Sequence, residues 1–145
     1  MNCSSVPQRS PFRYAGGKSW LIPVVRKWLS ENHGILVEPF LGGGSVSLSA
    51  VMENLATKAV MSELDSDVAS VWKTILSDDC IWLIGRIRGF KFDIDTVTDV
   101  LERVPGTEKE KAFRTIVKNR ASHGGILASG SGLMKRGESG RGNLS

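Results

Sequence analysis

The feature that most constrains the fold is a strand–loop–helix–strand unit between residues 35 and 67. Two short β-rich runs, Ile35–Glu38 and Lys58–Ser62, flank a glycine cluster and a helical stretch over Ser45–Leu55. Strands that alternate with helices favour a parallel sheet with a right-handed crossover. Ligands of such sheets bind at the carboxyl ends of the strands. The sequence therefore predicts an α/β protein with a ligand site just after Glu38.

The other predicted elements are helices, over Trp20–Ser30, Ser66–Leu76, Asp79–Arg88, Ile94–Val104 and Glu108–Ala121. In the first of them, Ser19 is placed to cap the helix N-terminus. Helical spacing puts Trp20, Val24, Trp28 and Leu29 on or near one apolar face, which is the face predicted to be buried.

Composition excludes several classes of protein. The chain has 145 residues, 41% hydrophobic and 23% charged, which is typical of one compact domain and not of a disordered or low-complexity chain. No apolar run has the length of a membrane span, and residues 1–10 lack the apolar core of a signal peptide. Cys3 and Cys80 form no metal-ligand or disulfide pattern, so a reducing cytoplasm is the expected compartment and no metal is expected.

The net charge of +4 is concentrated at one end of the chain. Residues 1–105 carry 11 Lys and Arg against 12 Asp and Glu, a sum of −1, whereas residues 106–145 carry 8 against 3, a sum of +5. A basic segment beside a near-neutral one predicts contact with a polyanion, and the alternative is a solvated basic helix face. The region from Gly124 to Ser145 holds seven of the 16 glycines and is not expected to contribute to a core.

The glycine loop indicates a nucleoside site. Glycines after Glu38 permit a sharp turn and close approach of a ligand, and Glu63 follows Gly42 by 21 residues, where a carboxylate can accept both ribose hydroxyls. A Walker A loop is excluded because Phe12 stands where its first glycine belongs, and the dinucleotide fingerprint lacks its last glycine at Ser47. S-adenosylmethionine is the commonest nucleoside ligand without strong phosphate recognition; the alternative is a purely structural glycine turn.

Four segments in order resemble the Dam-type adenine-specific DNA methyltransferases, a family that includes versions carried by phages and prophages. The segments are Tyr14-Ala-Gly-Gly-Lys18, Glu38-Pro-Phe-Leu-Gly-Gly-Gly-Ser45, Ser62-Glu-Leu-Asp-Ser-Asp67 and Lys118-Asn-Arg-Ala-Ser-His-Gly-Gly125. The resemblance implies a Rossmann-like S-adenosylmethionine-dependent methyltransferase fold, partial in this chain, with a mostly helical DNA-recognition insert. It also implies a cofactor-binding part at residues 1–70 and a basic DNA-recognition region at residues 71–145.

The resemblance assigns cofactor binding to Tyr14, Ala15, Gly16, Gly17, Lys18, Glu38, Pro39, Phe40, Gly42, Gly43, Gly44, Ser45, Glu63 and Asp65. Lys18 is expected to pair with the carboxylate of the cofactor's methionine end, and Glu63 to hold the ribose. Phe40 is expected to pack on the cofactor, with a place in the core as the alternative. Asp65 has helix capping as its alternative role.

The resemblance also implies double-stranded DNA as a partner and gives candidate contacts for it. Lys111, Arg114 and Lys118 are spaced i, i+3, i+7 and are expected to share one helix face that follows phosphates. Asn119 and Arg120 begin the expected recognition loop. Two further candidates, Lys135 and Arg136, are placed to reach a groove.

The family's catalytic motif, an Asp/Asn/Ser-Pro-Pro-aromatic sequence, is missing from these 145 residues, since none of the five prolines are adjacent. The expected activity is methyl transfer to the exocyclic amine of a flipped-out adenine. We therefore interpret the chain as the N-terminal portion of such an enzyme, inactive by itself and monomeric unless a C-terminal half joins it. Two other readings stay open: a different nucleotide-binding Rossmann enzyme, and a non-catalytic DNA-binding remnant.

Overall fold

The computed structural model describes residues 7–13, 17–30, 34–128 and 130–134. The chain divides after Leu64 into two compact units, here called unit 1 (up to Leu64) and unit 2 (from Asp65). Unit 1 contains helices α1 (Ile22–Leu29) and α2 (Ser45–Met52), strands β1 (Ile35–Glu38) and β2 (Lys58–Met61), and a 3-10 turn at Lys18–Leu21. Unit 2 contains helices α3 (Ser66–Ile75), α4 (Cys80–Arg88), α5 (Ile94–Glu102) and α6 (Glu108–Ala121), and a 3-10 turn at His123–Gly125.

Strands β1 and β2 form a parallel pair, as the alternation of strands and helices predicts. Ile35 lies opposite Lys58 and Glu38 lies opposite Met61, so both strands end at the same edge of the sheet. Helix α2 connects them. The structure thus confirms an α/β arrangement with a small parallel sheet, and a larger Rossmann-like sheet stays a prediction.

The core of unit 1 lies on one face of this sheet. Its buried members come from α1, β1, α2 and the chain before β2, namely Val25, Leu29, Leu36, Val46, Ala50 and Ala56. On the other face, Ile35, Val37 and Val60 are exposed, with 63% of Val37 accessible. Parallel sheets usually have both faces covered. Unit 1 therefore presents an uncovered apolar sheet face.

Two expectations about α1 are wrong. Ser19 lies in the 3-10 turn and does not cap the helix, which begins at Ile22 after Leu21 without any side-chain cap. Trp20 and Trp28, predicted to be buried, are 63% and 62% exposed. Val24 of the same predicted face is exposed as well, whereas Leu29 is buried as predicted. The other buried residues are Ile22 and Val25, and Val25 and Leu29 belong to the core cluster with residues of α2 and β1. Both stripes are apolar at helical spacing, so periodicity alone did not distinguish the face that the core accepts.

Unit 2 is built around α6, which packs against α3, α4 and α5. Its core consists of Leu83, Val97, Phe113, Val117 and Ala121. The ring of Phe113 meets those of Trp82 and Phe90 edge to face, with centroids 6.5 and 5.3 Å away. Such pairs add to the stability that burial of their area provides.

Side-chain caps fix the start of three helices in unit 2. Asp65 caps α3, Asp93 and Thr96 form a capping box at α5, and Thr107 and Glu110 form another at α6. Each cap satisfies backbone N–H groups that have no partner within the helix. The sequence bounds predicted for α6 agree with the structure because its cap is encoded locally.

The glycine-dense region contributes to the core after all. Leu133 packs against the core of unit 2, and Met134 is buried. An antiparallel bridge pairs Ser122 with Leu133, and the Met134 N–H donates to the Ala121 carbonyl at 2.8 Å. This backbone pairing places Leu133 and Met134 beside the end of α6. Within the described ranges, no helix is both long and apolar enough to span a bilayer.

Candidate functional site

The glycine loop links the end of β1 to the start of α2. Gly42 and Gly44 have positive φ angles of 51° and 63°, which glycine adopts without a steric penalty, and Gly44 is the N-cap of α2. The Leu41 N–H donates to the Ser62 carbonyl at 3.0 Å, which ties the loop to the end of β2. The loop thus forms the sharp turn that the sequence predicts at this edge of the sheet.

A cavity of about 330 Å³ lies in unit 1 beside this loop. The loop contributes Leu41 to Ser45, and the other walls come from Gln8, Ser10, Phe12, Gly17, Lys18, Ser19, Glu38, Phe40 and Glu63. Cavities of roughly 300–1,000 Å³ are typical of small-molecule sites. Its position, after the last residue of β1 and just past β2, is where α/β sheets bind ligands.

Lys18 and Glu38 form an ion pair in the wall of the cavity. The Lys18 Nζ lies 2.9 Å from the Glu38 Oε1 and also donates to the Phe40 carbonyl oxygen. Glu38 is only 7% exposed. Its other oxygen, Oε2, accepts hydrogen bonds from the Ser47 backbone N–H at 3.0 Å and the Ser47 hydroxyl at 2.5 Å. Glu38 therefore connects the end of β1, Lys18 and the first turn of α2.

Glu63, the predicted ribose ligand, reaches the glycine loop from beyond β2. Its Oε2 accepts a hydrogen bond from the Gly42 N–H at 2.6 Å. Of the predicted cofactor residues, Gly17, Lys18, Glu38, Phe40, Gly42, Gly43, Gly44, Ser45 and Glu63 line one cavity. The structure thus brings together residues that are separated by as many as 46 positions.

The remaining predicted cofactor residues have other surroundings. Phe40 is 79% exposed, so its alternative assignment to the core is wrong. Pro39 is exposed and is not part of the cavity lining. Asp65 belongs to unit 2, where its Oδ1 caps α3 by accepting from the Asp67 and Val68 N–H groups. The other three predicted cofactor residues, Tyr14, Ala15 and Gly16, lie outside the described residues.

Sequence reasoning missed the segment before the first motif, which contributes Gln8, Ser10 and buried Phe12 to the cavity. Arg9 fixes this segment to α2 through Glu53 at 2.6 Å and Ser49 at 2.9 Å. No recognisable motif includes these residues. The only local signal is the apolar Phe12 beside Pro11, within an otherwise polar N-terminal stretch.

Glu53 receives a second arginine and thereby joins three parts of unit 1. Arg26 of α1 donates to it from Nε at 2.6 Å and from Nη2 at 2.8 Å. The hydrogen bonds from Arg26, opposed by partial burial and aided by Arg9, lower the pKa of Glu53 to about 2. Charge-assisted bonds of this kind are the stronger class of hydrogen bond. They hold the segment with Ser10 and Phe12 against the helices behind the cavity.

Comparison with known proteins shows the family of this chain. The model of a family described as D12 class N6 adenine-specific DNA methyltransferases matches residues 14–113, more than half of the chain. The chain belongs to this family. Membership in the D12 class confirms the resemblance, and the matched region includes the first three motifs with the glycine loop and Glu63. The fourth motif, at residues 118–125, lies beyond the matched region.

One relative of this D12-class chain is the DNA N-6-adenine-methyltransferase of Escherichia phage P1, which is 35% identical over 69 residues. The match covers 47% of this chain and 8% of the phage protein. The D12-class chain therefore corresponds to a small part of that relative.

The predicted DNA-binding side chains of the D12-class chain form hydrogen bonds with other residues of unit 2. Lys111 Nζ donates to Ser66 Oγ at 2.9 Å and lies 3.5 Å from Asp67, and Lys118 Nζ donates to the Leu127 carbonyl at 2.5 Å. Arg114 donates to the Leu101 carbonyl from Nε and Nη2, at 3.1 and 2.9 Å. These cations are half-buried.

Asn119 is 1% exposed and donates from Nδ2 to the Gly125 carbonyl at 2.7 Å, a bond that orders the turn after α6. Arg120 is half-buried. The last two predicted DNA contacts, Lys135 and Arg136, lie outside the described residues. Three of the described cations of the set, Lys111, Arg114 and Lys118, thus have hydrogen-bond partners within unit 2.

Proposed function

We propose that unit 1 binds S-adenosylmethionine and that the chain is part of an enzyme that methylates the exocyclic amine of adenine in DNA. The observation that carries this proposal is the shared cavity of the glycine loop, Lys18 and Glu63. Family membership supplies the reaction class. When bound, S-adenosylmethionine supplies an electrophilic methyl group on a sulfonium.

The residues around the cavity fit the functional groups of this cofactor. Lys18 has three donors, of which Glu38 and the Phe40 carbonyl take two among the described residues, and the third suits a ligand carboxylate. The Glu63 carboxylate suits the vicinal hydroxyls of a ribose. The exposed ring of Phe40 offers an apolar surface for a base.

Titration calorimetry with S-adenosylhomocysteine tests the cofactor site. We expect saturable binding that Lys18→Ala and Glu63→Gln each weaken at least tenfold. Glu102→Gln is the matched control, because Glu102 is an exposed glutamate on α5 of unit 2. Binding of NAD or ATP, with none of S-adenosylhomocysteine, would indicate a different nucleotide-binding enzyme.

For DNA we propose the region from residue 71 to 145 as the recognition part, and residues 1–70 as the cofactor part. The support is the +5 charge of residues 106–145, since phosphate contacts supply most non-specific affinity. Duplex binding measured by fluorescence anisotropy should weaken steeply with salt. Salt-dependent binding without any cofactor binding would favour the non-catalytic remnant.

We also propose that the chain alone does not transfer methyl groups and that further polypeptide completes unit 1. The Pro-Pro motif is missing from its sequence, and the exposed Ile35, Val37 and Val60 form a sheet face of the kind that normally packs against other elements. The occupant we propose is a polypeptide with further strands and an Asp-Pro-Pro-aromatic motif. This is the C-terminal half that the family resemblance implies.

Two measurements test this completion. Purified chain should incorporate no radiolabelled methyl group into unmodified DNA, and incorporation would contradict the proposal. In a Cys3→Ser, Cys80→Ser background, Val37→Cys should react rapidly with a maleimide in the chain alone. Co-expression with a polypeptide that carries the motif should protect it, and equal reactivity in both samples would contradict the proposed occupant. We also expect the protein to be soluble and cytoplasmic, and cell fractionation would test this expectation.

A further inference from the structure

The buried carboxylate of Glu38 occupies a position that a phosphate would take in many nucleotide sites. Its Oε2 accepts the backbone N–H of Ser47, the third residue of α2. The first N–H groups of a helix lack partners within the helix and carry partial positive charge, which is why phosphates bind there. In this protein a side chain from β1 already satisfies that N–H.

A second carboxylate occupies a backbone donor of the glycine loop. The Gly42 N–H, a loop donor of the type that cradles phosphates, is bound by the Glu63 Oε2 at 2.6 Å. Among the described residues, Lys18, Glu38 and Glu63 are the charged groups that line the cavity, and their formal sum is −1. A phosphate group at either of these two backbone donors would therefore meet a carboxylate that already accepts from it.

Glu38 also determines where the ammonium group of Lys18 lies. The Glu38 Oε1 and the Phe40 carbonyl oxygen hold two of its protons at the end of β1. Because Glu38 is 7% exposed and receives three hydrogen bonds, its carboxylate is fixed and Lys18 is fixed with it. Among the described residues, the third proton of Lys18 has no acceptor, and it is held at a defined position on the cavity wall.

We infer that Glu38 determines the ligand selectivity of this site: it excludes phosphate-bearing nucleotides and positions Lys18 for the carboxylate of a zwitterionic nucleoside. This inference rests on the proposed function and adds the reason why the site distinguishes a zwitterionic nucleoside from a nucleotide. A ligand with a sulfonium or ammonium group and one carboxylate matches the charges of the cavity, whereas a nucleoside diphosphate does not.

Glu38→Gln tests the inference, because glutamine keeps the shape and one acceptor but removes the charge. Calorimetry would use S-adenosylhomocysteine and ADP as probes at low and high salt. Wild type should bind S-adenosylhomocysteine and show no binding of ADP. The variant should lose at least tenfold in affinity for S-adenosylhomocysteine and gain measurable ADP binding that weakens with salt. A residue with only a structural role would not produce that gain.

Two further variants keep the test decisive if Glu38→Gln does not fold. Lys18→Met should lose S-adenosylhomocysteine binding without gaining ADP binding, because Glu38 still caps α2. Ser47→Ala keeps the charge and should continue to exclude ADP. ADP binding by the wild type or by Ser47→Ala would overturn the inference.

The outcomes separate the two proposals. A wild-type chain that binds neither S-adenosylmethionine nor S-adenosylhomocysteine would overturn the proposed function. The exclusion of phosphate by Glu38 would then be tested by ADP binding alone, in wild type and in Glu38→Gln. Normal S-adenosylhomocysteine binding by wild type, combined with a Glu38→Gln variant that neither loses it nor gains ADP, would overturn only the inference. Circular dichroism of each variant confirms that it is folded.

Discussion

Unit 2 buries Phe113 between Trp82 and Phe90, whereas unit 1 leaves Trp20, Trp28 and Phe40 exposed to solvent. Three of the four helices in unit 2 start at their own side-chain caps, and α4 is the exception. In unit 1, α2 has no cap of its own and depends on Glu38 from β1. Both units have an apolar core, but unit 2 adds local helix caps to it, whereas unit 1 adds polar links around a cavity.

This difference has a functional consequence. A unit whose polar groups converge on a cavity gains stability when a ligand binds, by an amount that rises with ligand concentration over Kd. A unit with a self-sufficient core does not need the ligand. Substitutions in each unit measure how much stability the apolar core, the polar links and the helix caps contribute.

Phe113→Ala should have the largest effect, a loss of about 3–5 kcal/mol of unfolding free energy, because it removes a buried ring at the centre of the core of unit 2. Urea unfolding monitored by circular dichroism would measure it. The cofactor affinity of unit 1 should change much less. A loss below about 1 kcal/mol would show that unit 2 does not depend on this core.

Glu53→Gln should come next, with a loss of about 1–3 kcal/mol for its charge-assisted bonds to Arg9 and Arg26. The pKa of Glu53 is lowered from 4.5 to about 2. Its contribution to stability is therefore complete above pH 4.5 and is lost as the pH falls towards 2. Thermal unfolding across this range should show a smaller acid dependence in the variant. An unchanged pH profile would contradict the role of this carboxylate in unit 1.

Thr107→Ala should cost about 1 kcal/mol, because it removes the hydroxyl that accepts the Glu110 N–H in the capping box of α6. Thr107→Ser is the matched control and should retain most of the stability. Chemical unfolding of the three proteins measures the effect. Equal loss in both variants would show that the methyl group, and not the cap, is important.

Val37→Thr should have the smallest effect, within about 0.5 kcal/mol, because the side chain lies on the uncovered face of the sheet. Leu36→Ala on the covered face is the contrast, at about 2–5 kcal/mol. Thermal unfolding of both variants gives the comparison. A large loss for Val37→Thr would mean that this face is already packed in the isolated chain.

Much of the local structure was predictable from the sequence. The bounds of β1 and α6 agree with the structure, as does the turn at Gly42 and Gly44, because a β-rich run, a capping box and glycines act over a few residues. The wrong face of α1 shows the limit of this reasoning. Trp20 and Trp28 have the right spacing and apolarity for burial, and only the space available beside α2 selects the aliphatic stripe.

In the candidate site, too, some features follow from local sequence and others from tertiary packing. The kinds of group present could be predicted from the sequence: a glycine loop, a lysine before it and carboxylates at two strand ends. Only the tertiary structure decided which groups bind one another, such as Glu38 with both Lys18 and Ser47, and that Lys111, Lys118 and Asn119 bind within unit 2. The reason is physical: turns and caps are set by short-range sterics and hydrogen bonds, whereas the partner of a charged side chain depends on which distant segments the packing brings within about 3 Å.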